Sequence, residues 1–136
     1  MNNQRFAISL HILTLLTKSK DERISSDYIA GSININPVIV RKELSNLNKY
    51  GFVTTKEGKN GGTVLAKPEN EINLADVYLS VRPSNILGNT PKDPNPQCPV
   101  GRQINRELEK LYLLAEDALL TELRTKTLAD FCKEFV

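Results

Sequence analysis

The sequence predicts a mainly α-helical protein with one small β-hairpin, and three observations carry that prediction. Through residue 50, apolar side chains recur at helical spacing in three stretches separated by polar connections. Residues 52–56 and 63–66 are short, contain β-branched side chains and flank a glycine-containing loop, as the strands of a hairpin do. Residues 103–126 then run without glycine or proline, enough for a helix of about 36 Å at 1.5 Å per residue. Helix, helix, helix, hairpin is the order of a winged helix-turn-helix, here followed by a long C-terminal helix suited to dimerisation.

The first helix is predicted over residues 2–18. Phe6, Leu10 and Leu13 fall on one side of it and Ile8, Ile12, Leu15 and Leu16 on another, so it must be buried on more than one face. Ser25 or Ser26 caps a second, short helix through Asp27, Tyr28, Ile29 and Ala30. Asn34 tolerates the left-handed backbone of a tight turn, Asn36 is a good N-cap, and Pro37 stands where a helix prefers proline. The third helix therefore starts at Pro37. Val40, Leu44 and Leu47 form its inward stripe and Gly51 its stop, while Arg41, Lys42, Ser45, Asn46, Asn48 and Lys49 make a polar outward face.

After the hairpin, Asn73 caps a short helix through Leu74, Val77 and Tyr78, with Asp76 reinforcing its start. Five of the seven prolines fall between Pro83 and Pro99, so that stretch is irregular, and loops of this length in small domains are usually functional or mobile. Thr127, with Asp130 three residues on, signals a last short helix carrying Leu128, Phe131 and Phe135. The expected organisation is a DNA-binding head over residues 1–80, a proline-rich sensor or connecting loop over 81–100, and a dimerisation helix with its C-terminal helix over 101–136.

At 136 residues, with 40% hydrophobic and 25% charged side chains, the composition is that of a folded globular chain. No stretch approaches the roughly 20 apolar residues of a membrane span, and Arg5 leads into a helical pattern with no small-residue cleavage site. A cytoplasmic location without membrane contact is expected. With two cysteines and one histidine, neither a zinc site, a disulfide framework nor a histidine-based triad is expected, and no cofactor is. Net charge is +2, but residues 1–70 hold ten Lys/Arg against six Asp/Glu, whereas residues 71–136 hold eight against ten. A basic front half suits a nucleic-acid-binding head on a neutral or acidic body.

Four constellations bear on function. Residues 24–47 form a candidate helix-turn-helix, which serves either as scaffold or as a DNA reader. If it reads DNA, the outer first turns of the third helix place Asn36, Val38, Ile39, Arg41, Lys42 and Ser45 at the bases, with Arg and Lys suited to guanine and Val and Ile to thymine methyls. The hairpin tip lacks the Gly-Lys-Ser/Thr pattern of a nucleotide loop. It fits a wing instead, with Gly61 and Gly62 letting the tip enter a groove and Lys56 and Lys59 supplying charge for phosphates. In the long helix, Ile104, Leu108, Leu111, Ala115 and Ala118 form a stripe at 4, 3, 4, 3 spacing, widened by Leu113, Leu114, Leu119, Leu120 and Leu123. Pairing with a second copy covers it, the alternative being a central helix wrapped by its own chain. Cys98, in the polar loop just before that helix, is either filler or a thiolate stabilised by helix N–H groups and open to oxidation. Cys132 reads as packing and His11 as a hydrogen-bonded core or interface residue.

Several of these segments together resemble the Rrf-two family of winged-helix transcription regulators, and in particular its YwnA-like branch. They are Tyr28-Ile29-Ala30, Leu44-Ser45-Asn46-Leu47-Asn48-Lys49-Tyr50-Gly51-Phe52-Val53, the wing Gly61-Gly62-Thr63-Val64-Leu65-Ala66 with Pro68, Ile72-Asn73-Leu74-Ala75-Asp76-Val77, Cys98-Pro99-Val100 and Thr127-Leu128-Ala129-Asp130-Phe131. The resemblance runs from Phe6 to about Phe131. It implies a homodimer joined through its long helices, with Asn36, Val38, Ile39, Arg41 and Lys42 reading bases and residues 56–62 as the wing. Two departures matter. Glu57 stands where several relatives carry arginine before the wing glycines, and the loop that holds an iron-sulphur cluster on three cysteines in cluster-bearing members has Cys98 alone.

The reading is a homodimeric regulator, a repressor, on a pseudo-palindromic double-stranded operator. Its effector would be an unidentified small molecule or an oxidant. The competing readings are a winged-helix module for protein contacts without DNA binding, and a thiol-dependent enzyme built on Cys98, for which the sequence supplies no matched base.

Overall fold

The computed structural model describes residues 3–20 and 22–135. Its elements in chain order are α1 (Arg5–Ser19), α2 (Ser26–Ile33), α3 (Pro37–Lys49), β1 (Val53–Lys56), β2 (Gly62–Leu65), a 3-10 turn (Glu69–Glu71), α4 (Leu74–Val81), α5 (Ile104–Arg124) and α6 (Leu128–Cys132). The architecture is the mainly helical winged helix-turn-helix that the sequence predicts, with a long helix appended. Of the residues expected in the first helix, Asn2 lies outside the described ones, and Asn3 and Gln4 precede the helix, Gln4 as its N-cap and Asn3 accepting from Arg5 N at 3.0 Å through its side-chain oxygen.

The wide apolar surface of α1 places it at the centre of the head. Ile8, Leu10, Ile12, Leu13 and Leu16 are all buried, against Ile29 of α2, Val40, Leu44 and Leu47 of α3, Phe52 and Val53 at β1, and Val77 of α4. The N-caps form at the residues that signal them. Ser25 accepts from Tyr28 N, Asn36 Oδ1 from Val38 N at 2.8 Å, and Asn73 Oδ1 from Ala75 N at 2.9 Å. Asn34 takes the left-handed turn at φ 65°, and Gly51 follows the C-terminus of α3 at φ 81°.

One expectation for α3 is corrected. Asn46 does not face solvent: it is half-buried, and its Nδ2 donates to Ser80 O of α4 at 3.1 Å, a single tie that turns it toward that helix.

The two strands pair antiparallel, Val53 opposite Leu65 and Lys56 opposite Gly62. Residue 24 adds a short bridge on the outer side of β2, Ile24 N to Thr63 O at 3.1 Å and Thr63 N to Ile24 O at 2.9 Å, so the hairpin is anchored to the chain before α2.

The starts of α4 and α6 are joined. Leu74 N donates to Lys126 O at 3.0 Å, Leu128 N to Ile72 O at 2.8 Å, and Asn73 Nδ2 to Arg124 O at 2.9 Å. The capping box at Thr127 and Asp130 is complete, and α6 buries Leu128 and Cys132 in the head's core. Phe135, expected on this helix, lies beyond its end and is 46% exposed, its ring tilted against Phe131 at 5.3 Å between centroids. None of the 21 residues of α5 is buried. It leans on α4 through Arg82 Nη1 to Glu116 Oε1 at 2.6 Å, and Leu123 packs against the core near its C-terminal end.

Candidate nucleic-acid interface

Asn36 and Pro37 launch α3 so that its first two turns protrude. Val38 is 60% exposed and Ile39 44%, side by side on the protruding turns, and Arg41, Lys42 and Ser45 follow them into solvent. Asn36 is exposed too, but its Oδ1 is occupied by the cap, which leaves Nδ2 for an acceptor.

Between α3 and the hairpin runs an open cleft of about 690 Å³. Arg41, Ser45, Asn48 and Lys49 line it from α3, Lys56 and Glu57 from the hairpin, and Ser25 and Ser26 from the start of α2. Three cations and six neutral hydroxyl or amide side chains, Thr55 and Thr63 of the hairpin among them, line the cleft with a single acidic group. The dimensions and charge suit a polyanion backbone. Asn48, Lys49, Ser25 and Ser26 are among the residues the sequence reading did not single out for the site. The first two were within reach, since they continue the Arg41, Ser45 row at helical 3 and 4 spacing; the two serines are brought in by the α2–α3 turn. Lys42 lies outside this cleft on the exposed side of α3, and Lys59 sits at the exposed hairpin tip.

The wing glycines act differently from the expectation. Gly62 has φ 133°, and a Cβ there would come within 3.0 Å of the Ile24 backbone; a Cβ on Gly61 would come within 2.7 Å of Gly58 O. Both positions require glycine for close backbone approach at the base of the wing. The freedom of the tip belongs to Gly58, at φ 86° with open space around it, and to Asn60, at φ 65°. Glu57 lines the cleft and has no ion-pair partner among the described residues.

A sequence model of the Rrf2 family, described as an iron-dependent transcriptional regulator, matches residues 2–134. The chain belongs to the Rrf2 family of transcriptional regulators. This Rrf2 protein is 39% identical over 130 residues to YwnA of Bacillus subtilis, which is named as an HTH-type transcriptional regulator, covering 96% of each chain. A transcriptional regulator from Lactobacillus plantarum superposes with a TM-score of 0.81 at 30% identity, over 94% of this chain and 87% of that one. CymR, the global cysteine regulator of B. subtilis, shares the fold at 21% identity and a TM-score of 0.73, over 100% and 98%. The Rrf2 protein is thus a regulator on a winged-helix DNA-binding fold and not an enzyme, which removes the thiol-enzyme reading.

The family description raises iron, and the donors present do not fit it. Among the described residues no group of three His, Cys, Asp or Glu side chains is placed to hold a metal ion. Cys98 is exposed in the proline-rich loop, whereas Cys132 is buried in the head. Cys98 Sγ accepts from Gly101 N at 3.4 Å, and the N–H groups of Gly101 and Val100 hold its thiol below the ordinary cysteine range. The donors come from this turn and not from the first turn of α5, which begins only at Ile104.

On α5 the expected stripe divides. Ile104, Leu108, Ala115 and Leu119 are half-buried by their own chain, whereas Leu111 is 54% exposed, and the neighbouring Leu113 and Leu114 are 59% and 68% exposed. His11, half-buried, bonds to Ser32 Oγ at 3.0 Å and links α1 to α2. Among the described residues no helix is long and apolar enough to cross a membrane.

Proposed function

We propose that this protein is a cytoplasmic homodimeric repressor that grips a pseudo-palindromic operator with two winged heads. The observation that carries the reading is the cleft in which Arg41 and Lys49 of α3 face Lys56 of the wing, beside the exposed Val38 and Ile39. In this reading Asn36, Val38, Ile39, Arg41, Lys42 and Ser45 meet base edges and the flanking backbone in the major groove. Lys56, Lys59 and the tip held up by Gly61 and Gly62 follow the phosphates alongside. Glu57 tempers the wing's charge and favours a tip that lies beside the duplex over one inserted between phosphates. The exposed leucines of α5 support a second copy as partner, with Ile104, Leu108, Leu111, Ala115 and Leu119 along the seam and the half-sites about 34 Å apart.

The test is selection from a random-sequence duplex pool, followed by mobility shift of the selected duplex at two salt concentrations. The expected result is an enriched inverted repeat bound by one dimer, with affinity falling steeply as salt rises. A protein that enriches nothing and retains no duplex at low salt would be a protein-contact module on the same fold.

For the signal, we propose that Cys98 acts as an oxidant-sensitive thiolate at the entrance to α5. Hypochlorite, peroxide or a quinone should lower operator affinity reversibly in the parent and leave Cys98→Ser unaffected. Equal loss in both proteins would point to a small-molecule effector instead.

A further inference from the structure

The side of α3 turned away from the cleft carries one charge. Glu43 is 3% exposed, and its carboxylate is held by Arg5, the first residue of α1. Arg5 Nε donates to Glu43 Oε2 at 2.8 Å and to Oε1 at 3.2 Å, and its second terminal nitrogen donates to Oε1 at 3.0 Å. This is a fork closed on a carboxylate, the most directional of ion pairs. Burying a carboxylate is unfavourable, and well-packed apolar residues of similar size generally serve stability as well or better. Position is a better account of why a charge stands there.

An α-helix turns about 100° per residue, so Glu43 lies about 200° around the axis from both Arg41 and Ser45. It therefore sits behind the two side chains that line the cleft. The remaining inward residues of α3, Val40, Leu44 and Leu47, are apolar; their packing limits large movements of the helix but sets no hydrogen-bond geometry, whereas the bidentate ion pair does. A rotation of about 20° carries a group at a helix radius of 5–6 Å through about 2 Å, beyond the tolerance of a hydrogen bond. Resting on the DNA-binding reading above, we propose that the Arg5–Glu43 bridge fixes the rotation of α3 about its own axis, so that Arg5 and Glu43 are positioning residues for base readout that touch no base. The fixed end is α1, whose Ile8, Ile12, Leu13 and Leu16 are locked in the core. Asn46 adds a neutral tie from the same helix to α4, and among the described residues the Arg5–Glu43 bridge is the side-chain hydrogen bonding that joins α3 to α1.

The discriminating variant is the double substitution Arg5→Met with Glu43→Leu, which removes the charges and keeps the volume. Affinity is measured for a duplex selected by the parent from a random pool and for a shuffled duplex, with the melting temperature and salt dependence taken in parallel. The expected result is a protein that melts no lower than the parent and binds the shuffled duplex with the same salt slope. Its ratio of selected to shuffled affinity should be about tenfold smaller. Arg5→Lys, which keeps charge but not the fork, should fall between the two. A double variant that discriminates as well as the parent, or one in which both affinities fall together, would overturn the proposal. A parent that selects no sequence at all would overturn the reading beneath it, and the proposal with it.

Discussion

The head and the long C-terminal helix of this chain reach stability by different routes. In the head, Ile12, Leu13, Leu16, Ile29, Val40 and Leu47 are each 0% exposed, drawn from three helices that close over one another. In α5, 21 residues long, none is buried, and three leucines are more than half exposed. Fully burying a leucine side chain contributes about 1.5–3 kcal/mol, so α5 leaves a few kcal/mol of stabilisation unused on its own chain. One chain completes the head and leaves the long helix incomplete, which is what an assembly through that helix requires.

The sharpest way to break this contrast is Leu111→Asp. A carboxylate placed in the proposed seam costs several kcal/mol of association if a partner helix covers the site, and almost nothing if the site faces water. Sedimentation should show the mass halved, with operator affinity reduced at least a hundredfold because two half-sites no longer share one molecule. An unchanged mass would mean that α5 has no partner. The converse variant is Ile12→Ala, which removes volume from a site that is 0% exposed. It should destabilise urea unfolding by about 2–5 kcal/mol while leaving the mass at low urea unaltered. If it dissociated the protein instead, the head and the long helix would not be separable in this way.

A smaller effect separates reading from folding within the head. Arg41→Ala and Lys42→Ala should each weaken binding of the selected duplex by about 1–3 kcal/mol at matched salt, with melting temperatures unchanged because both side chains are exposed. The two need not respond alike. Arg41 lines the cleft under the wing and Lys42 does not, so the loss at Arg41 should carry the larger change in salt slope if it meets phosphate.

The parts legible in the sequence were those set by local chemistry. Ser25, Asn34, Asn36, Pro37, Asn73 and the Thr127–Asp130 pair each impose a backbone geometry on their own neighbours, and each does so in the structure. The helical stripe Val40, Leu44, Leu47 was legible for the same reason: 3.6 residues per turn decides which side faces inward. What stayed hidden depends on elements meeting in space. Nothing near Glu43 in sequence announces that Arg5, 38 residues away, will close on it, and nothing near Asn46 announces Ser80. The wing glycines show the same limit from the other side. Their identity marks the wing, but not the close approach they permit, because the backbone of Ile24 that crowds Gly62 belongs to a segment the hairpin reaches only after folding.

The smallest effect concerns α6, which follows α5 in sequence but packs with the head. Asp130 is held below the ordinary carboxylate range first by the Thr127 N–H, which donates to its Oδ2 at 3.0 Å, then by the Thr127 side chain and by Lys133. A carboxyl whose pKa is lower folded than unfolded stabilises the native state above its unfolded value, near 3.9, and loses that contribution as pH falls through the folded one. Asp130→Asn keeps an oxygen at the cap but no charge. The variant should therefore unfold slightly more easily than the parent at pH 7, and the two should converge as pH drops below 4. Because Thr127 bridges to Asn73 and Leu128 lies in the head's core, the same convergence should appear in the Leu111→Asp background, which is designed to abolish the proposed dimer. If the difference vanished at neutral pH in that background, α6 would draw its stability from the long helix's assembly, and the boundary between the self-sufficient and the incomplete part of the chain would have to be moved.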